Sequence, residues 1–178
     1  MRSELLHQME GDKICFTALK QNDAAEIHKY ASDEEVSRFI GWRLMENPDE
    51  TIRHVEQMIK REAQGTHYYA SVVDKYSRQI IGTGMIFNFD SEARHAEIGY
   101  VLSKSCWGRG FGTEVVKLLK TYAFEVLDLH KLHARVAEAN TGSYRVLEKN
   151  GFLLEGRLKD YYFIEGRYYD GRLYGFIR

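Results

Sequence analysis

The stretch of this chain that most limits what it can fold into is residues 105–114, SCWGRGFGTE. Gly108, Gly110 and Gly112 alternate there, directly before VVKLLKTYAFEVL. Glycine is poor inside a helix and useful where backbone must come close to another group. The run that follows places Val115, Val116, Leu118, Leu119, Tyr122, Ala123, Val126 and Leu127 on an apolar face wide enough to pack on a sheet. HAEIGYVLS (95–103), just upstream, reads as a strand. A strand passing through a glycine turn into a helix N-terminus suits an anion, because the first-turn N–H groups lack intrahelical partners and the helix dipole favours negative charge. A tight turn without a ligand uses the same residues, so the glycines alone leave both readings open.

The rest of the chain frames that turn. ICFTAL (14–19) is a first strand; DAAEIHKYAS and EEVSRFIGW read as short helices. NPDETIRHVEQMIKREAQG predicts a longer helix, capped by Asn47, with Pro48 in the first turn and Ile52, Val55, Met58 and Ile59 on one face. HYYASVVD and QIIGTGMIFNF flank KYSR as a hairpin. KLHARVAEAN is a strand, and TGSYRVLEKNG a short helix ending at Asn150 with Gly151 beyond it. The tail, from 152 onward, reads as two antiparallel strands joined around Glu165–Gly166. The order is mixed α/β. With 178 residues, one proline (Pro48) and no repeat, residues 1–178 are expected to form one domain.

Composition removes several classes of function. A net charge of −1 supplies no global basic field for nucleic acid or anionic membrane. No apolar stretch approaches the roughly 18 residues of a membrane span, and the N-terminus lacks a signal-peptide core. Cys15 and Cys106 form no CxxC pair, which fits thiols in a reducing cytoplasm. His130 and His133 have no further ligand at recognisable spacing, so no metal is expected. There is no Walker sequence and no GxGxxG. Tyr161, Tyr162, Phe163, Tyr168, Tyr169 and Tyr174 read as aromatics packed across paired strands rather than as a base-stacking platform.

WGRGFGTE (107–114) resembles the pyrophosphate loop of the GNAT acetyltransferases, Q/R-x-x-G-x-G/A, with Gly110 and Gly112 on its two small positions. Trp107 stands at the Q/R position, a replacement common in the branch that includes the RimJ/RimL ribosomal-protein N-terminal acetyltransferases. AEIGYVLS resembles the family's fourth strand, and EANTGSYRVLEKNGF its N-x-x-S signature, helix and GF exit. FIGW and GRYYDGRLYGFIR are also similar to this branch. The resemblance spans nearly the whole chain. It implies a central, mostly antiparallel twisted sheet of about seven strands, with a splayed fourth and fifth strand and helices on both faces.

It also implies acetyl-CoA as co-substrate. The loop Trp107, Gly108, Arg109, Gly110, Phe111, Gly112 and Thr113 would hold the diphosphate. Backbone of Tyr100, Val101 and Leu102 would pair with pantetheine, Asn140 would bond the coenzyme, and Ser143 would lie near the sulfur. Asn140 is equally a good N-cap for the helix after it. Acetyl transfer needs an uncharged amine, a stabilised oxyanion and a stabilised thiolate. Glu97, opening the fourth strand, is the expected base, acting through water, with Glu138 as substitute. Leu147 occupies the place where many family members carry a tyrosine acid, so Ser143 stands in, ahead of Tyr144.

Glu34, Glu35, Arg38, Trp42 and Arg43 are expected near the acceptor, and their mixed charge selects neither a protein N-terminal amine nor a small amine. Homodimers are common in the family, and a second copy as partner is expected on that ground alone. A non-catalytic acetyl-CoA-binding module and a nucleotide-binding module remain competing classes.

Overall fold

The computed structural model describes residues 2–40 and 43–178. Its elements run α1 (Arg2–Leu6), β1 (Ile14–Thr17), α2 (Ala24–Ala31), α3 (Glu34–Ser37), α4 (Pro48–Ala63), β2 (Tyr68–Asp74), β3 (Ile80–Asp90), β4 (His95–Leu102), α5 (Phe111–Glu125), β5 (Lys131–Ala137), α6 (Thr141–Lys149), β6 (Leu153–Ile164) and β7 (Arg167–Ile177). The strands form one sheet in the order β1-β2-β3-β4-β5-β7-β6. Neighbours are antiparallel except β4 and β5. This is the mixed α/β sheet that the resemblance implied.

Alternation along the strands divides the apolar residues between two faces. On one face Val115, Val116, Leu119, Tyr122 and Ala123 of α5 are fully buried against Ile86, Ala96, Leu132 and Tyr174 of the sheet. On the other, Ile27, Tyr30, Val55 and Met58 from α2 and α4 pack with Tyr69 and Val101. Each buried Val, Leu, Ile or Met among them contributes roughly 1.5–3 kcal/mol by leaving water. The Tyr30 hydroxyl reaches Thr83 Oγ1 at 2.7 Å, and burial raises its pKa, so it stays protonated.

Local signals place the boundaries. Asn47 Oδ1 accepts from the Glu50 N–H at 3.1 Å, while the Glu50 carboxylate accepts from the Asn47 N–H, a reciprocal cap that starts α4 beside Pro48. Glu165 and Gly166, at φ 50° and 75°, make the two-residue β6–β7 turn. Phe163 and Tyr168 face each other across it with ring centroids 4.8 Å apart, a cross-strand pair as expected.

Two expectations change. EEVSRFIGW is helical only over Glu34–Ser37. Ser37 Oγ and the Met45 N–H both donate to the Ala31 carbonyl, which turns the chain back after a single helical turn. Gly41 and Trp42 of that segment lie outside the described residues. The first strand stops at Thr17, not residue 19, and α1 precedes it without having been anticipated.

One irregularity matters for function. β4 and β5 pair only at His95–Lys131, Ala96–Leu132 and Glu97–His133. Beyond that point β4 continues along β3 as far as Leu102, while β5 continues along β7 as far as Ala137. The two strands part, leaving a gap closed at Glu97 and His133 and open toward the glycine turn.

Candidate active site

The open end of the gap is built by a short local sequence. β4 ends at Leu102, a single 3-10 turn covers Lys104–Cys106, and Gly110 in the left-handed region (φ 86°) starts α5. The first α5 bond runs from the Glu114 N–H to the Gly110 carbonyl, so the N–H groups of Phe111, Gly112 and Thr113 have no partner within the helix. A Cβ on Gly112 would come within 3.3 Å of both Tyr100 and Val146. Glycine at 112 lets α5 close onto β4 and α6; glycine at 110 permits the backbone turn.

The other loop residues have mixed roles. Trp107 is half-exposed, and its indole Nε1 donates to the Leu102 carbonyl at 2.9 Å, tying the loop to the end of β4. The Arg109 guanidinium lies over the Phe111 ring and donates to the Ser105 carbonyl. The Thr113 carbonyl accepts from Asn150 Nδ2.

Lys13 was missed by sequence reasoning. Its Nζ donates to the Arg109 carbonyl at 2.8 Å, and its backbone N–H donates to Glu114 Oε1 at 2.9 Å. It comes from the entry to β1, almost a hundred residues away, and no motif marks it. It places a cation within the loop.

Along the gap, the three expected backbone contacts do not behave alike. The Ser103 N–H donates to the Ile81 carbonyl, and the β3–β4 register is regular from Phe87–Glu97 to Gly82–Leu102. By alternation, Val101 spends its main-chain groups on Thr83, whereas Tyr100 and Leu102 turn theirs into the gap. Val101 is therefore corrected: its backbone belongs to the sheet and its side chain to the α2–α4 core. Of Leu102, the carbonyl already accepts from Trp107.

Across the gap, Asn140 caps α6, its Oδ1 accepting from the Ser143 N–H at 3.2 Å. Ser143 Oγ lies 3.5 Å from the Tyr100 hydroxyl. Burial pushes the Tyr100 hydroxyl up to about 12, with the Ser143 contact opposing, so it remains a proton donor at neutral pH. Leu147 is buried in the main core and offers no hydroxyl. The Tyr144 ring instead carries the Arg172 guanidinium.

The closed end is polar. Glu97 is 5% exposed. Arg135 holds it in a fork, Nε to Oε1 at 2.9 Å and Nη2 to Oε2 at 2.7 Å, and Asn88 Nδ2 donates to Oε2 at 2.9 Å. His133 Nε2 stands 3.7 Å from Oε2. Burial is the largest single influence on this carboxyl and raises its pKa. The nearby His133, the hydrogen bonds and charge of Arg135 and the Asn88 hydrogen bond together outweigh it and hold the group down at about 2. Both oxygens being engaged, Glu97 is a fixed anion and a weak proton acceptor. The geometry tells against its taking the amine proton alone. Glu138, the substitute, accepts from Arg172 at 2.9 Å and Arg157 at 3.3 Å.

The expected acceptor residues do not gather at the closed end. Arg38, just past the end of α3, pairs with Glu165 in the β6–β7 turn at 2.9 Å, while Glu35 pairs with Lys104. Glu34 and Arg43 are exposed.

A split parallel strand pair with a glycine-started helix at its open end is the arrangement that the family resemblance implied. Residues 13–153 match the acetyltransferase (GNAT) domain. The chain belongs to the GNAT acetyltransferases. An uncharacterized N-acetyltransferase of Bacillus licheniformis is 28% identical over 167 residues, covering 94% of each chain. The ribosomal-protein-S5-alanine acetyltransferase of Vibrio fischeri superimposes with a TM-score of 0.83 at 25% identity, covering 95% of each chain. The spermidine N-acetyltransferase of Vibrio cholerae, solved with CoA and spermine, superimposes with a TM-score of 0.83 at 24% identity, covering 94% of this chain and 96% of that one. This GNAT chain is an acetyl-CoA-dependent N-acetyltransferase. No helix among its described residues is long and apolar enough to cross a membrane.

Proposed function

We propose that this acetyltransferase moves the acetyl group of acetyl-CoA directly onto a primary amine held at the Glu97 end of the gap. The observation that carries this is the parting of β4 from β5 immediately after Glu97–His133. Unpaired main-chain groups are costly unless a ligand takes them, and pantetheine is the extended, amide-bearing chain that fits. The diphosphate sits on the Phe111, Gly112 and Thr113 N–H groups, beside Lys13. From Leu102 the arm runs down β4, at about 3.3 Å per residue, which brings the sulfur level with Tyr100 and Ser143 and points the acetyl group toward the Glu97–His133 end. Main-chain N–H from β4 polarises its carbonyl.

Tyr100, buried and protonated, and Ser143 beside it supply the hydrogen bond to the departing sulfur that Leu147 cannot. Asn140 holds the arm on the α6 side. Glu97 fixes the positions of Arg135 and His133 at that end. Glu138, farther along and paired with two arginines, is the lesser candidate.

The acceptor we favour is a protein N-terminal α-amine, in keeping with the similarity to the S5-alanine enzyme. A small amine is the second reading, favoured by the Arg38–Glu165 pair, which joins the end of α3 to the β6–β7 turn. Acetyl-CoA-dependent thiol release on a panel of peptides and small amines separates them. Turnover on peptides alone selects the first, turnover on small amines alone the second. CoA binding without turnover on either identifies a binding module.

A further inference from the structure

Glu97, His133, His95 and Asp90 lie in sequence along the closed end of the gap. His133 Nε2 is 3.7 Å from Glu97 Oε2, the His133 and His95 rings meet edge to face with centroids 5.4 Å apart, and His95 Nε2 is 3.8 Å from Asp90 Oδ2. Their side chains become steadily more exposed in that order, from 6% for Glu97 through 20% and 33% to 48% for Asp90. The series runs from the buried vertex of the gap to the surface at the end of β3. His95 Nδ1 is buried with no hydrogen-bond partner, a condition that native proteins rarely leave without a use.

The chemistry at the vertex requires such a route. An ammonium acceptor plus acetyl-CoA gives an amide, the CoA thiol and one proton. The amine first loses a proton. Its lone pair then forms the C–N bond, the C–S bond breaks with its electrons going to sulfur, and the second nitrogen proton balances the thiolate. The first proton must leave a site where Glu97 is already committed to Arg135 and Asn88.

We propose that His133 and His95 form the exit relay for that proton, His133 taking it at the closed end of the gap and His95 and Asp90 delivering it to solvent. Histidine is the side chain suited to exchanging protons near neutrality. The separations of 3.7 and 3.8 Å are of the kind that one bridging water or a small ring rotation closes. The charged and titratable groups around the pair are fixed by other partners. Arg135 is held by Glu97 and Tyr161, and Lys131 by Glu155 at 2.7 Å. From β6 Tyr161 reaches Arg135, with Tyr162 close to Arg135 and Glu97, and from β3 Asn88 reaches Glu97. The relay deepens the acetyl-transfer reading and depends on it.

The test compares the wild type with His133→Gln, His133→Ala and His95→Gln on whichever amine the panel selects. His133→Gln is expected to lower kcat about 100-fold at neutral pH, the scale of a lost acid–base group. The loss shrinks as pH rises and the amine arrives uncharged, while KM for acetyl-CoA is unchanged. Added imidazole partly restores His133→Ala, and His95→Gln gives the same pH dependence with a smaller loss. Unchanged kcat and pH profile in His133→Gln would overturn the relay, as would an equal loss at every pH without rescue. Imidazole titrations followed by NMR in the resting protein provide the second measurement. Replacing His95 is expected to move the His133 midpoint, and an unmoved midpoint overturns the link between them. A wild type that binds CoA but acetylates no amine overturns the transfer reading itself, whatever the titrations show.

Discussion

The two ends of the β4–β5 gap are built in opposite ways. The open end comes mainly from one contiguous run, Leu102 to Thr113, in which the left-handed glycine, the helix start and the Trp107 bond to Leu102 are set by near neighbours. The closed end is assembled from four strands: Asn88 and Asp90 on β3, His95 and Glu97 on β4, His133 and Arg135 on β5, and Tyr161 on β6. Local backbone geometry can be read along a chain. A carboxylate's proton affinity cannot, because it depends on which distant side chains the sheet brings to it.

The comparison can be strained hardest at Glu97. Glu97→Ala leaves Arg135 and Asn88 facing a void and should cost about 3 kcal/mol, since removing one partner of a buried pair is far worse than never having it. Urea unfolding measures this, and Glu97→Ala combined with Arg135→Met should recover part of the loss. A cost below about 1 kcal/mol, the scale of an exposed pair, would mean that the closed end is not a coupled cluster. The same carboxylate should make stability fall in acid. Its pKa is depressed in the fold, so its contribution is full above the usual 4.5 and disappears as pH falls toward about 2. The shift corresponds to roughly 3 kcal/mol, and Glu97→Gln should flatten this part of the stability profile.

At the open end the expected damage is to binding. Gly110→Val forces a β-branched residue to φ 86° beside Lys13 Nζ. Acetyl-CoA affinity should fall at least about tenfold, with the strain itself costing about 1–2 kcal/mol; calorimetry that finds wild-type affinity removes the loop from the cofactor site. Trp107→Phe, which deletes only the bond to the Leu102 carbonyl, should cost about 1 kcal/mol in stability and raise KM for acetyl-CoA modestly. The smallest effect is expected at the exposed pair Arg38–Glu165. Arg38→Ala should change stability by less than about 1 kcal/mol while altering KM for the acceptor, and an unchanged acceptor KM would place the amine elsewhere.

Several features are legible in the amino-acid sequence. The α4 cap at Asn47 and Pro48, the two-residue turn at Glu165–Gly166 and the left-handed glycine ahead of α5 are each decided within a few residues. What escapes such reading is non-local. Lys13 reaches the Arg109 carbonyl only because β1 and α5 pack together, and Val101 is lost to the cofactor only because the β3 register claims its backbone. The over-long helix at 34–42 fails for a similar reason: the Ala31 carbonyl accepts from both Ser37 and Met45 and reverses the chain.

By itself, then, the sequence determined the class of fold and the glycine turn ahead of α5, because glycine geometry, capping and hydrophobic period act over short range, and its motifs resembled the family to which the chain belongs. Only the tertiary structure decided which backbone groups face the gap, that Glu97 is a neutralised anion, and that two histidines from different strands meet behind it. Those properties are set by strand register and by the low-dielectric company each charge keeps, and both come into being only when the sheet has formed.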